Sequence, residues 1–495
     1  MALVLALTGC SGGSASDDTA AATDPNATLR VNWGIFPETW APGSQSMEPG
    51  YMRVPYETLV LREADGTILP NLATEWEFGE GATSLTLQLR DDVLFHDGTP
   101  FDAEAVKTNL EYVRDVVGGQ FGGPLGAVTD VVVDDDYTVT FQFARPWSTF
   151  LDLLSQRNLP IGSPAAIEDG SIETVPVGTG PWAYDEASSV PGTRIGFTKF
   201  DDYWGEFPPF ANIQLYAIPD DTAASAAVIG GEIDVTDTED EELPRLEADP
   251  SVEYFEYNAI RNNVVFFDRG EGGVFEDPTV RQALCYAMGP QVEADLRGGE
   301  PQSQHFVEGE PGHNPDITGY GADADLDKAL ELWDEAGNPT IEAVFPAAPF
   351  NKGQIEVMAE QMNELPGVNI TVQELAPPQF ISTWNSGQYP LGLGNHAQIT
   401  PADWYGAWFS ETAGGNPAKV ASDELKELAT AAQQGGGEEA WAAVTKQIAD
   451  EALTCSHMVG FELIAYNTTT VANVEPATQG WEQNLIDYRT IAPAS

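Results

Sequence analysis

The chain has 495 residues and is 42% hydrophobic, long enough for two or three domains with sizeable cores. Its 78 acidic residues against 21 basic ones give a net charge of −57, and only seven of the basic residues are lysines. With no basic stripe to neutralise phosphates, nucleic acid is excluded as a partner, and so is docking on an anionic lipid surface. A surface this acidic repels itself in dilute buffer, which fits either a host adapted to salt or acid or a plain compositional bias of a high-GC genome.

The chain opens on an apolar run, MALVLALTGC, and passes at once into polar SGGSASDD. Small residues before Cys10, after an apolar segment, resemble a bacterial lipoprotein signal. That resemblance implies a mature protein starting at Cys10, with lipid on its thiol. The run is short and no basic residue precedes it, so the natural start is expected upstream. It is too short to cross a bilayer as a helix, and so is every later apolar run. Residues 11–28 are Ser, Gly, Ala, Asp and Thr with almost nothing apolar, which reads as a disordered tether. Residues 29–37 (LRVNWGIFP) read as a strand entering a loop.

Residues 70–113 form a complete local unit. Leu85, Leu87 and Leu89 alternate with polar residues, the period of a half-buried strand. Asp97-Gly98 and Thr99-Pro100 then signal a turn. Asp102 stands as an N-cap before Val106, Leu110, Val113 and Val117, spaced for one helix face. His96 and Asp97 read as turn residues, not as a metal or acid/base pair. An L-A-x-x-W segment, an amphipathic strand and F-H-D-G-T-P before a helix resemble the signature of the family 5 extracytoplasmic solute-binding proteins. These are the peptide, nickel and oligosaccharide receptors of ABC importers.

Further markers follow in the family's order. Val131 and Val133, a turn at residues 134–136, then Val139, Phe141 and Phe143 read as a hairpin. Residues 177–181 (VGTGP) resemble the family's G-T-G-P turn, with glycines expected at positive φ. As a phosphate loop the segment lacks a lysine. Residues 213–235 read as strand, Pro-Asp turn, Ala-rich helix and a G-E-I-D strand. The acidic run 238–242 reads as a solvated loop. Residues 262–268 are strand-like, and Asp277-Pro278 opens a helix with Val280, Leu284 and Met288 on one face. Its words PTVRQALCYAM resemble the family's V-R-Q-A-L helix. Residues 325–337 read as a helix faced by Leu326, Leu330 and Trp333 and stopped at Gly337. Residues 354–372 read as helix then strand, a last helix carries Trp441, Val444 and Ile448, and residues 461–466 form a returning strand.

The resemblance implies an α/β, two-lobed fold of the type II periplasmic-binding-protein kind, with an extra subdomain on the first lobe. It divides the chain into a lipoprotein signal (1–10), a linker (11–28), a first lobe (29–51, 167–257 and 468–495), the extra subdomain (52–166) and a second lobe (258–467). It further implies a solute-binding lipoprotein that takes a peptide-like solute in the interlobe cleft and hands it to an ABC permease. It is expected to be a monomer outside the cytoplasm, touching the membrane through its lipid alone. An oligosaccharide or metal-chelate receptor is the alternative within binding proteins, and an extracytoplasmic hydrolase the alternative of another class.

The implied ligand contacts are Trp33, Arg261, Trp384, Asn395, His396, Gln398, Trp404 and Tyr405. Residues 391–409 (LGLGNHAQITPADWYGAWF), broken at Pro401, resemble the family's variable specificity loop. The aspartate that pairs with a peptide's ammonium group in this family falls on Ala397, and Asp403 lies some residues later. Neutral hydrogen-bonding groups beside flat rings suit a sugar or an uncharged or modified peptide. Cys285 and Cys455 remain as an even pair, bonded or merely buried. No C-x-x-C, H-E-x-x-H, P-loop or G-x-S-x-G occurs, so no catalytic residue, metal site or cofactor is expected.

Overall fold

Alternation sets the first strand, β1 (Thr28–Asn32), in which Leu29 and Val31 are wholly buried. The computed structural model describes residues 26–494 except 35, 38, 45–48, 64–65, 118–124, 156–158, 239–241, 298, 350, 377–378, 381–386, 397–399 and 478–484. Side chains are described outside 257–263, 293, 295–297, 395, 456–457 and 460–462.

After β1 the chain builds a small unit of its own. Strands β2 (Val60–Arg62) and β3 (Ile68–Pro70) pair antiparallel. Next come β4 (Ala73–Phe78), β5 (Ser84–Leu89), helix α1 (Ala103–Glu111), β6 (Val128–Asp135) and β7 (Thr138–Phe143). The four strands form an antiparallel sheet in the order β4-β5-β7-β6. The expected alternation holds: Leu85, Leu87 and Leu89 share a core with Val139, Phe141 and Phe143. Asp102 caps α1 by accepting the Ala105 N–H at 2.9 Å, and Val106 and Leu110 pack into the same core. A short helix, α2 (Phe150–Leu154), completes the unit.

The main sheet follows. Its first-lobe part uses β8 (Trp182–Tyr184), β9 (Arg194–Lys199), β10 (Asn212–Tyr216), helix α3 (Asp221–Ile229) and β11 (Val235–Thr238). The long strand β12 (Val252–Phe267) then leads into helix α4 (Pro278–Ala287), β13 (Glu300–Gln302), α5 (Leu326–Glu335), β14 (Ile341–Ala347), α6 (Lys352–Met362) and β15 (Val368–Glu374). The chain continues through β16 (Leu391–His396), α7 (Pro401–Trp408), α8 (Asp423–Ala431), α9 (Gly437–Asp450) and the long returning strand β17 (Thr454–Asn467).

The strand order is β16-β12-β17-β11-β1-β10-β9-β8, with β13 also on β17. Strands β12 and β17 pair along nearly their whole length, from Val252 opposite Asn467 to Phe266 opposite Thr454. They carry the sheet from one lobe to the other. Their register shifts between Asn258 and Asn262, an irregularity that bends a ladder where two bodies meet. The first-lobe core holds Leu29, Val31, Trp182, Ile213 and Leu215, and the second-lobe core holds Val265, Phe267, Leu284, Trp333, Phe345 and Ile355.

Two local expectations are corrected. Helix α5 buries Ala329, Leu332 and Trp333, while Leu330 is 38% exposed. The buried stripe centres near Ala329, about 100° around the helix from Leu330. In the acidic run, Glu242 is buried and not solvated, because the Thr222 hydroxyl (2.7 Å) and Arg245 (3.3 Å) hold its carboxylate.

Candidate functional site

The F-H-D-G-T-P turn and the G-T-G-P segment fasten the small unit to the first lobe. His96 Nδ1 accepts the Gly178 N–H at 3.3 Å, so its Nε2 carries the proton and donates to Gly180 O at 2.9 Å. Burial lowers this imidazole's pKa to about 4, leaving it neutral near pH 7. Asp97 accepts from the Thr99 and Ser163 hydroxyls. The expectation of positive φ at Gly178 and Gly180 fails, for neither is among the positive-φ glycines. The reason for glycine is close approach: a methyl on Gly178 would lie 2.0 Å from Pro55 O, and one on Gly180 2.8 Å from Val54 O. Buried Glu57 gathers Thr179 Oγ1 (3.0 Å), Tyr203 OH (3.0 Å), Trp204 Nε1 (2.8 Å) and Arg489 (2.8 Å) at the same junction.

The segment expected as one loop over residues 391–409 is instead strand β16 and helix α7. Pro401 does not break it. Pro401 opens α7, where a missing N–H costs nothing, and Thr400 caps the helix by accepting the Asp403 N–H at 3.2 Å. The Thr400 hydroxyl in turn donates to the Asp403 carboxylate at 2.7 Å.

This arrangement brings together three of the residues named from sequence. Strand β16 places His396 opposite Asn262 of β12, and α7 carries Trp404 and Tyr405 beside it. Trp404 Nε1 donates to His396 Nδ1 at 2.8 Å. The His396 ring stacks on Trp408 with centroids 3.9 Å apart, and His305 stacks on Trp404 at 4.4 Å. His305 was missed in the sequence, where it stands alone in QSQHFVE. Asn395 shares β16 with His396, and Arg261 lies on β12. Trp384, Gln398, Ala397 and Cys10 lie outside the described residues. Trp33 stands apart from the cluster: it is 8% exposed in the first-lobe core, and its Nε1 donates to Tyr488 OH at 2.6 Å. Cys285 and Cys455 are joined in a disulfide inside the second-lobe core.

A second group of residues links the lobes and was not anticipated. Arg62 of β2 is 3% exposed, and its Nε donates to Asp152 of α2 at 3.1 Å. The charge of Asp403, across on α7, reaches Asp152, and Glu310 of the second lobe feels Arg62. Burial first, and then the Asp403 charge, push Asp152 up to about 6, with Arg62 opposing both. Ser148 Oγ donates to Gln433 O at 3.1 Å across the same boundary. One sequence signal was available: Asp152 is a lone acid in the apolar helix FLDLL.

Among the described residues no group of three or more His, Cys, Asp or Glu is placed to hold a metal ion, and no helix is long and apolar enough to cross a membrane.

Residues 67–417 match the model of the family described as bacterial extracellular solute-binding proteins, family 5 middle. The chain is 32% identical over 185 residues to the nickel-binding periplasmic protein of Escherichia coli (strain K12), covering 36% of this chain and 35% of that one. It is 25% identical over 398 residues to the probable D,D-dipeptide-binding periplasmic protein DdpA of the same organism, covering 75% of each. Among solved structures, the PBP AgaA in complex with agropinic acid from A.tumefacien R10 superposes with a TM-score of 0.80 at 19% identity, over 94% of this chain and 99% of that one. That likeness shows the shared two-lobed α/β fold.

Proposed function

We propose, from the premise that this chain belongs to the bacterial extracellular solute-binding proteins of family 5, that it captures a peptide-like solute between its lobes and delivers it to an ABC permease. Two long strands crossing between lobes support the capture step, since such a crossing allows closure over a ligand. The closed form then differs in shape from the open one, and a permease can distinguish them. No bond in the solute need change.

The observation that carries the peptide-like reading is the alignment with the D,D-dipeptide-binding relative over three quarters of each chain. The geometry refines it. Asp403 is committed to the Thr400 hydroxyl and faces Asp152, so it is poorly disposed to anchor an ammonium group. A peptide without a free amine at that point fits better, set along the edge of β16, since Trp404 and Tyr405 are themselves buried in a core with Phe306, Leu425 and Trp441 and support that edge from behind. A metal chelate is the second reading, favoured by the nickel-binding relative. In this reading the chelator supplies the metal's ligands. We further propose that Cys10 carries lipid and tethers the protein outside the cytoplasm.

A thermal-shift screen tests this. Binding to the folded state raises the melting temperature by mass action. Di- to pentapeptides, including D,D and amine-blocked ones, should stabilise the protein. Stabilisation by nickel chelates or oligosaccharides alone would refute the peptide reading, and turnover of a hit would place the protein among enzymes. Mass spectrometry of the membrane fraction should show acylation that Cys10→Ser abolishes.

A further inference from the structure

The boundary between the lobes holds three acids around one buried arginine. Arg62 and Asp152 belong to the small unit on the first lobe, while Asp403 and Glu310 belong to the second. The Ser148 hydroxyl on the Gln433 carbonyl lies along the same contact. The backbone at Gly66 approaches Pro311, so a methyl there would stand 3.8 Å from the proline ring. The small unit and the second lobe therefore touch at several points, and the charged group lies within that contact.

We propose that Asp152, Arg62, Asp403 and Glu310 form a proton-operated latch, so that the lobes close more firmly as the medium turns mildly acidic. The inference rests on the reading of the protein as a receptor whose lobes open and close.

Among the described residues, the groups that act on Arg62 and on Asp152 are these. Its own helix, α2, presents only Phe150, Leu151, Leu153 and Leu154. Arg62 comes from β2 and Asp403 from α7. Glu310 faces Arg62 from the second lobe, with His313 beside it. Arg145 and Tyr405 sense each other across the contact. With the lobes together, the Asp152 side chain is left only 19% exposed and lies near a like charge, which together push its pKa up to about 6. With the lobes apart it loses Asp403 but keeps Arg62 of its own unit, so its pKa falls back to the ordinary aspartate range or below. The closed form thus binds the proton more tightly. Protonation favours closure as pH falls through about 6, and the advantage is lost as pH rises above it. Glu310, raised by burial, works in the same direction. A separation of roughly two pKa units shifts the closed-to-open ratio about ten-fold between pH 7.5 and pH 5. An importer receptor built this way gains affinity in acid without a residue of its solute contacts changing.

The test needs no solute. Dyes on Thr74→Cys of the small unit and Val420→Cys of the second lobe, both exposed positions, report lobe separation by energy transfer. The closed-to-open ratio should rise about ten-fold from pH 7.5 to pH 5. In Asp152→Asn the ratio should be high at pH 7.5 and insensitive to pH. In Asp403→Asn the titration should persist with a lower midpoint, which keeps the test open if the first variant folds poorly. A ratio that ignores pH, or a midpoint identical in all three proteins, overturns the latch. A stabilising peptide added at pH 7.5 should close the lobes whether or not the latch exists. Failure of that arm alone counts against the receptor reading.

Discussion

The disulfide between Cys285 and Cys455 gives the sharpest stability prediction. It joins α4 to the start of β17 and closes a loop spanning 170 residues of sequence, inside the second-lobe core. In the chain-entropy account, a crosslink of that length removes about 5 kcal/mol of freedom from the unfolded chain. Cys455 also pairs with Val265 just beyond a register shift in the β12–β17 ladder, so the bond secures a place where the ladder is irregular. The perturbation is reduction under mild denaturant, with Cys285→Ala/Cys455→Ala as its permanent counterpart. For a guanidinium slope of about 5 kcal/mol/M, the second-lobe midpoint should fall by about 1 M. Trp333 lies wholly buried in that core, and its fluorescence reports the transition. The reduced protein and the double variant should fall together. A midpoint that stays within ~0.2 M of the oxidised protein's would refute the loop-closure reasoning, since even half the expected stabilisation would show.

The other predictions concern the junction and the surface. Gly178→Ala should destabilise the protein by roughly 2 kcal/mol or more, because the added methyl meets a backbone carbonyl that cannot swing away; an unchanged urea midpoint would show that the junction yields. His96 is held neutral with its pKa lowered to about 4, against ~6.5 in the unfolded chain, so the unfolded state binds more protons between those values. Its contribution is complete above pH ~6.5 and falls away towards pH 4, by on the order of 3 kcal/mol. The stability difference between wild type and His96→Gln should therefore vary across that window, and a constant difference would mean that His96 does not titrate there. With a net charge of −57, added sodium chloride should raise the melting temperature, and a fall on adding salt would count against self-repulsion as the governing force.

What the sequence discloses depends on how local the physics is. The strand at Leu85, Leu87 and Leu89 and the caps Asp102 and Asp277 follow from periods and offsets within a few residues, and each stands as read. Signals with two physical causes mislead. Glycine serves positive φ or close approach, and at Gly178 and Gly180 the neighbour is Pro55, more than a hundred residues earlier. Proline ends a helix or begins one, and the Thr400 cap decides for the second at Pro401. The ring cluster was half legible. His396, Trp404 and Tyr405 stand close in sequence, but His305 joins them only through the fold. Trp33 shows the converse, a ring at the head of a loop that the C-terminal Tyr488 draws into the core.

The latch lies at the far end of this scale, and its illegibility has a physical source. Arg62, Asp152, Glu310 and Asp403 come from four separate stretches, and no period or spacing connects them. In a chain with 78 acids, any one acid reads as solvated surface. Asp152 is the exception, a lone acid among four buried apolar residues of α2 whose own side chain is left only 19% exposed. A buried carboxylate needs a cation or a proton. Arg62 supplies the first at neutral pH, and the approach of Asp403 makes the second progressively more favourable. The acid response of the closed form and the acid sensitivity of the His96 junction then run in opposite directions below about pH 6. From pH 6 down to pH 4 the lobes therefore hold together more firmly only while the His96 junction gives up its stability, so acid strengthens the one contact as it weakens the other.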